Sequence, residues 1–376
     1  MTTTRVTLTW EETDPSRPAY DVVVRLVALT DAAYDAGELD GFRMRRGVDG
    51  VWEWDAELPS DLRTTYQLCP IRDRPLDDGP VDDDRWGEVM AAGEPDPNAT
   101  EAIPPGCVFG SGPVPASVLS LPDAVPQPWA ARREGIARGR VERHEWPDGS
   151  ILHVHRPAGS ADGSDGPTAL AVVTDGHSMM ALGIIDTLDN LAADRAVPAL
   201  TTVVVESIQG AAPRGLERVA SLATGAILEA FVDDLVPWVE ERYAVSADPA
   251  RRVIAGHSLG GLAALHLAVE RPDVFGVAVV GSAALWWPGR DGQLVGADVV
   301  KAYAHGHDQT PPVTVWAEVG TEEDAGEGGL LRTNRDFRAA YTGGNLTYRE
   351  VRGGHDLALW RGGLADGLAE TLTRRG

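Results

Sequence analysis

A chain of 376 residues is long enough for one large or two ordinary domains, and either would bury a sizeable core. Its 33 basic and 57 acidic residues leave a formal charge of −24, which argues against a nucleic-acid or anionic-membrane partner, since phosphate is bound by positive surface. Two cysteines, Cys69 and Cys107, make neither a disulfide scaffold nor a Cys/His metal cluster. The segment Met1-Thr2-Thr3-Thr4-Arg5-Val6-Thr7 lacks the basic and apolar parts of a signal peptide, and no apolar run approaches a membrane span. A cytoplasmic enzyme is the expectation.

The first third alternates as half-buried strands do: Val6–Trp10, Tyr20–Leu26, Val51–Trp54 and Thr65–Leu68, punctuated by Gly, Pro and Asp. This predicts a small antiparallel β-sandwich over residues 1–125. The acidic stretch Asp77–Asp84 reads as a solvated loop, because its spacing matches no metal-binding loop. Pro122, Pro126 and Pro128 mark a stiff linker.

Residues 126–376 change texture to apolar strand runs alternating with helical stretches, the pattern of a parallel sheet covered on both faces. Strands are predicted at Ile151–His155, Leu170–Thr174, Thr202–Glu206, Arg252–Ala255, Val277–Gly281, Val313–Val319 and Leu346–Val351. Helices are predicted at Met180–Ala193, Ile227–Arg242, Leu259–Glu270, Asn334–Tyr341 and Leu364–Thr373. The fold class is α/β, an α/β-hydrolase domain behind a β-sandwich.

Within it, Gly256-His257-Ser258-Leu259-Gly260-Gly261 reads as a nucleophile elbow. A serine at the tip of a sharp strand-to-helix turn needs small neighbours, and glycines two before and two after supply them. Leu262, Leu265 and Val269 continue as a helix. A serine hydroxyl is a weak nucleophile, so a base must take its proton and a carboxylate should orient that base, in the chain order Ser, acid, His. Of nine histidines, His355 alone follows a late predicted strand, in the loop Gly353-Gly354-His355-Asp356. The acid belongs after Val313–Val319, where Glu322, Glu323 and Asp324 follow the turn Gly320-Thr321, with Glu323 placed best and Glu318 inside the strand. A Ser/His dyad is the alternative. Two N–H donors for the oxyanion are expected from Leu259 and from His177 in the turn Asp175-Gly176-His177-Ser178.

These residues resemble the enterochelin (enterobactin) esterase family of α/β-hydrolases over nearly the full length. Ala255–Leu262 is similar to the family elbow, Ser282-Ala283-Ala284-Leu285-Trp286-Trp287-Pro288 to its Ser-x-Ser-x-x-Trp-Trp-Pro segment, and Gly353–Asp356 with Trp360-Arg361-Gly362-Gly363-Leu364 to its histidine loop. Ser117–Ala124 with Pro126-Gln127-Pro128-Trp129 resembles its interdomain linker.

The resemblance implies hydrolysis of the trilactone backbone of an imported ferric catecholate siderophore, with no metal cofactor in the chemistry. The family's Gly-x-x-Glu turn carries onto Gly320-Thr321-Glu322-Glu323, and hence onto Glu323. Such a substrate is anionic, so a local basic lining is expected from Arg214, Arg218 and Arg361, with Trp286 and Trp287 available to stack on catechol rings. One segment departs. Where the family has Arg-x-x-Glu-Leu-x-x-Asn, this chain keeps Arg218 and Leu222 but has Ser221 and Gly225. Action on another cyclic depsipeptide or secondary-metabolite ester, as hydrolase or acyltransferase, is the alternative, and a non-catalytic binding protein is the reading from another class.

Overall fold

The computed structural model describes residues 2–373 except 13, 48–49, 78, 106, 108–113, 148, 160–165, 207–221, 224, 290–292, 305–312, 325–328 and 344. The chain forms two compact units. The first comprises Met1–Pro126, Gly320–Glu327 and Val351–Leu359, and the second Gln127–Val319, Gly328–Glu350 and Trp360–Gly376. Two short segments from late in the chain thus pack with the N-terminal unit, which nothing in the sequence announces.

The N-terminal part runs β1 (Thr3–Glu11), β2 (Asp21–Leu26), α1 (Val27–Ala36), β3 (Arg45–Arg46), β4 (Val51–Pro59), β5 (Arg63–Ile71), α2 (Asp83–Ala91), β6 (Ala102–Ile103) and β7 (Ala116–Ser120). The strands make two antiparallel sheets, β1-β4-β3 and β2-β5-β7-β6. Val6, Leu8, Trp10, Trp52 and Trp54 of the first meet Val22, Val24, Leu26, Tyr66 and Leu68 of the second in one core, as a sandwich requires. Strand β5 is buried along its whole length. Its other side joins Cys69 and Ile71 to Trp86 and Val89 of α2 in a second cluster, so both of its faces are covered.

Three expectations need correction here. The acidic run becomes a helix at Asp83: the Asp82 carboxylate accepts from the Arg85 N–H at 2.8 Å, and Asp83 and Asp84 occupy the first turn, where the helix dipole favours negative charge. Helix α1, starting directly after β2, is absent from the strand-only reading. Ser117–Ser120, which the resemblance assigns to the interdomain linker, lies in strand β7, and beyond Pro126 the chain is strapped to a helix: Arg133 pairs with Asp194, and Asn190 donates to the carbonyls of Trp129 and Ala131.

The remaining elements are β8 (Arg140–Glu145), β9 (Ile151–Arg156), β10 (Ala169–Val173), α3 (Gly176–Ala181), α4 (Ile184–Ala193), β11 (Leu200–Glu206), α5 (Gly225–Ala230), α6 (Val236–Arg242), β12 (Arg252–His257), α7 (Leu259–Glu270), β13 (Val277–Gly281), α8 (Gly296–Ala304), β14 (Thr314–Gly320), α9 (Leu330–Ala340), β15 (Leu346–Val351) and α10 (Leu357–Thr373). Eight strands form one sheet in the order β15-β14-β13-β12-β10-β11-β9-β8. The sheet is mixed rather than parallel. β14, β13, β12, β10 and β11 run parallel, but β9 is antiparallel to β11 and β8 to β9. A tight turn closed by the Trp146 N–H on the Ser150 carbonyl, with Gly149 at φ 88, makes a hairpin where a crossover would be needed for parallel pairing.

The helices differ from expectation in their bounds and continuity. Met180–Ala193 is two helices, broken at Gly183 with φ 79. The stretch before Arg242 passes through a π-helical turn at Phe231–Leu235, just ahead of Pro237 in the first turn of α6. Helix α9 starts at Leu330, α10 starts seven residues before Leu364, and α8 was not foreseen. In α10 the glycines are packing sites: a Cβ at Gly363 would lie 2.4 Å from Glu318 Oε1, and one at Gly362 2.4 Å from Gln127 Nε2.

The core of the second unit gathers Val172, Val203, Ile254 and Val280 of the sheet with Leu262, Phe275 and Phe337 around it. Phe337 is fully buried. Phe337→Ala is expected to cost about 3–5 kcal/mol of stability, measured by denaturant titration, because the cavity it leaves cannot collapse fully.

Candidate active site

Strand β12 delivers Ser258 to a turn that only a tightly packed surrounding could hold. Its φ of 56 and ψ of −121 place a non-glycine residue in a sparsely populated region. Three backbone bonds hold it there: its N–H donates to the Gly281 carbonyl at 3.0 Å, and its carbonyl accepts from Leu262 at 3.0 Å and Ala284 at 2.9 Å. The flanking glycines are required by space. A Cβ at Gly256 would sit 2.4 Å from the Gly260 carbonyl oxygen and from Thr174 Oγ1, and one at Gly261 3.1 Å from Ala283 Cα.

The neighbouring turn follows β10. The Thr174 N–H donates to the Ala255 carbonyl at 3.0 Å, Asp175 adopts φ 58, and α3 begins at Gly176, whose Cβ position would be 2.6 Å from the Val205 carbonyl carbon. Gly260 faces the same turn, a Cβ there falling 2.4 Å from Thr174 Oγ1 and 2.9 Å from Asp175 Oδ2. The N-termini of α3 and α7 therefore lie side by side. His177 and Leu259 both belong to first turns, whose N–H groups have no acceptor inside their own helix. Such amides suit a developing oxyanion.

In the first unit, the loop after β14 and the loop after β15 bring Glu323 and His355 together. His355 Nδ1 lies 2.7 Å from Glu323 Oε2. The Glu323 side chain is wholly buried, and its other oxygen accepts from the Gly320 N–H at 2.8 Å. Its neighbours are otherwise engaged: Glu322 pairs with Arg352 at 2.5 Å, Asp324 is exposed, and Glu318 pairs with Arg349 at 2.5 Å. Of the candidate carboxylates, Glu323 is placed against His355 Nδ1.

The other expected site residues are placed unevenly. Trp286 and Trp287 form an edge-on pair with ring centroids 5.6 Å apart, two and three residues after Ala284, whose N–H donates to the Ser258 carbonyl. Trp287 Nε1 is buried with no acceptor among the described residues. Arg361 donates through Nε to Gln127 Oε1 at 2.9 Å. Arg214 and Arg218 lie outside the described residues.

Sequence reasoning missed two supports of the site. Trp360 stacks on His257 with centroids 5.1 Å apart and donates to Ser282 Oγ at 2.9 Å, filling the space beside the elbow. Asp356 is completely buried and accepts from Thr64, Thr65 and Ala358. The Trp-x-Gly-Gly segment and the Asp after His355 were the only signals, and neither names its partner.

The "Putative esterase" family model matches residues 152–371, and the "Enterochelin esterase, N-terminal" model matches residues 5–130. The chain belongs to the enterochelin esterase family. It is a carboxylic ester hydrolase by that membership. Among relatives, the iron(III) enterobactin esterase of Dickeya dadantii is 27% identical, over 98% of this chain and 88% of that protein. That of Escherichia coli O6:H1 is 25% identical, over 97% and 90%. The fold matches the crystal structures of a ferric enterobactin esterase from Salmonella typhimurium (TM-score 0.82, 23% identity, 98% of this chain and 94% of that one) and of an enterobactin esterase from Shigella flexneri in the presence of enterobactin (0.78, 22%, 98% and 93%). Among the described residues, no helix is long and apolar enough to cross a membrane.

Gly256→Ala tests the packing of the elbow. Its methyl group would have to displace backbone, at a cost of about 1–3 kcal/mol. The expected outcome is a lowered melting temperature together with at least a tenfold slower labelling of Ser258 by a fluorophosphonate, relative to wild type.

Proposed function

We propose that the protein hydrolyses the trilactone backbone of a ferric catecholate siderophore such as enterobactin in the cytoplasm, through an acyl-enzyme on Ser258. The observation that carries this reading is the bond between His355 Nδ1 and a fully buried Glu323, in a chain whose family is esterase and whose elbow presents Ser258. A carboxylate on Nδ1 leaves the other imidazole nitrogen to take the serine proton, and stabilises the imidazolium that results.

In this mechanism the Ser258 hydroxyl attacks a lactone carbonyl while His355 accepts its proton. The N–H groups of Leu259 and His177 receive the oxyanion, and His355 returns the proton to the departing alkoxide. Water then repeats the sequence on the acyl-enzyme. Each cycle opens one ester with one water, and the ring and its linear products can be cut in turn. Iron belongs to the substrate.

Recognition has to overcome charge. A tris-catecholate ferric complex is anionic, and the chain carries −24 overall, so a local basic lining must outweigh the distant repulsion. Arg214, Arg218 and Arg361 are the residues assigned to it, with Trp286 and Trp287 as a platform for catechol rings. The relatives named iron(III) enterobactin esterase support this substrate class. The replacement of the family's Glu and Asn by Ser221 and Gly225 favours a second reading, another macrolactone or depsipeptide. Relative kcat/KM on ferric trilactones against other macrolactones separates the two.

Mass spectrometry of products from a ferric trilactone is expected to show successive uptake of one water per ester, down to monomeric catecholate units. Turnover confined to other macrolactones would reject the substrate assignment. In the same assay Ser258→Ala should lower kcat by roughly 10⁴–10⁶-fold, and Glu323→Gln by roughly 10³–10⁴-fold, with unchanged melting temperatures.

A further inference from the structure

The loop that carries His355 is fastened to the N-terminal sheet by its next residue. Asp356 Oδ2 accepts from the Thr65 backbone N–H, from Thr65 Oγ1 at 3.0 Å and from Thr64 Oγ1 at 3.1 Å, while Oδ1 accepts from the Ala358 N–H at 2.8 Å. Thr64 and Thr65 are fully buried on β5, an interior strand of its sheet. Thr64 Oγ1 in turn accepts from the Ala28 N–H at 3.1 Å, and its single proton is shared between Asp356 and the Thr65 carbonyl. Burial pushes the Asp356 carboxyl above its ordinary range, and the Thr65 and Ala358 donors oppose this.

Further contacts repeat the fastening. The Arg63 N–H donates to the Arg352 carbonyl at 3.1 Å, and the Glu322 N–H donates to the Gly353 carbonyl at 3.0 Å, which ties the loop of the base to the turn of the acid. Gly353 and Gly354 do not adopt positive φ, so backbone freedom is not their purpose. Space is. A Cβ at Gly354 would lie 2.6 Å from Ala28 Cα, and one at Gly353 2.9 Å from the Arg63 carbonyl oxygen. The Gly-Gly-His-Asp sequence is thus shaped for docking against α1 and β5.

We propose that Asp356 is a positioning residue, and that Thr65 on the N-terminal sheet, acting through it, holds His355 in register with Glu323. Thr65, Asp356, His355 and Glu323 all belong to the same compact unit. This rests on the reading of His355 as the base. A displacement of about 1 Å at a reacting group can cost roughly 10²-fold in rate, so a loosened anchor should appear in kcat.

The test compares Thr65→Val, Thr65→Ser, Asp356→Asn and His355→Gln in the full-length enzyme, on one ester substrate. Thr65→Val keeps the side-chain shape and the backbone N–H bond but removes the hydroxyl donor. It is expected to lower kcat about tenfold with KM within about twofold, and Thr65→Ser to recover most of that loss. Asp356→Asn must turn an amide NH₂ towards existing donors whichever way it is oriented, and is expected to lose roughly 10²-fold in kcat. Wild-type kcat in folded Thr65→Val and Asp356→Asn would overturn the proposal, as would a rise in KM with kcat unchanged. Should Asp356→Asn fail to fold, the Val/Ser pair at Thr65 decides alone. Full activity in His355→Gln would instead overturn the reading of the base, so the two failures are distinct.

Discussion

A carboxylate buried without solvent has to be paid for with donors, and Glu323 organises its surroundings around that requirement. One oxygen takes the Gly320 N–H and the other faces His355 Nδ1. Gly320 must be glycine for the turn to close, since a Cβ there would fall 2.3 Å from the Gly353 carbonyl oxygen and 2.7 Å from Glu323 itself. Acid, turn and histidine loop are therefore one packed object. It belongs to the N-terminal unit, although its residues come from the last sixty of the chain.

The second unit meets a different constraint, a serine in a strained conformation. Gly256, Gly260 and Gly261 admit the close approach of the turn after β10 and of the segment after β13, and Trp360 with His257 fills the remaining space. The strain is held by bonds from three directions, from Gly281, Leu262 and Ala284. Two helix N-termini then stand beside each other. A sheet whose parallel strands run β14-β13-β12-β10-β11 brings about that adjacency, because β10 and β12 are neighbours in it.

The sequence was legible where the signal is local. Glycines within three residues of Ser258 announced the strand-to-helix turn on which it sits, and the Gly-Gly-His-Asp loop and the turn after β14 announced the two segments that place His355 against Glu323. It was less legible where the reason lies across the fold. Asp356 finds Thr64 and Thr65 nearly three hundred residues away, so no spacing could reveal the pair. The predicted helix begins after Gly362 and Gly363, yet both sit inside α10, where Gln127 and Glu318 approach too closely for a side chain. The apolar residues of β9, Ile151–Arg156, match a parallel strand as well as an antiparallel one, and its partner β8, Arg140–Glu145, has Val141 as its single apolar residue, so no apolar run marks it. Asp83 and Asp84 looked like a solvated loop because capping acids and loop acids have the same composition.

The central claim is that ester cleavage passes through a covalent bond to Ser258. Rapid-quench kinetics with an activated catecholate ester, followed by peptide mapping of the quenched enzyme, tests it most directly. The account predicts a burst of about one leaving group per chain and an acyl adduct on Ser258 at early times. Steady turnover with no burst and no adduct in the wild type, or an adduct on another residue, would contradict it.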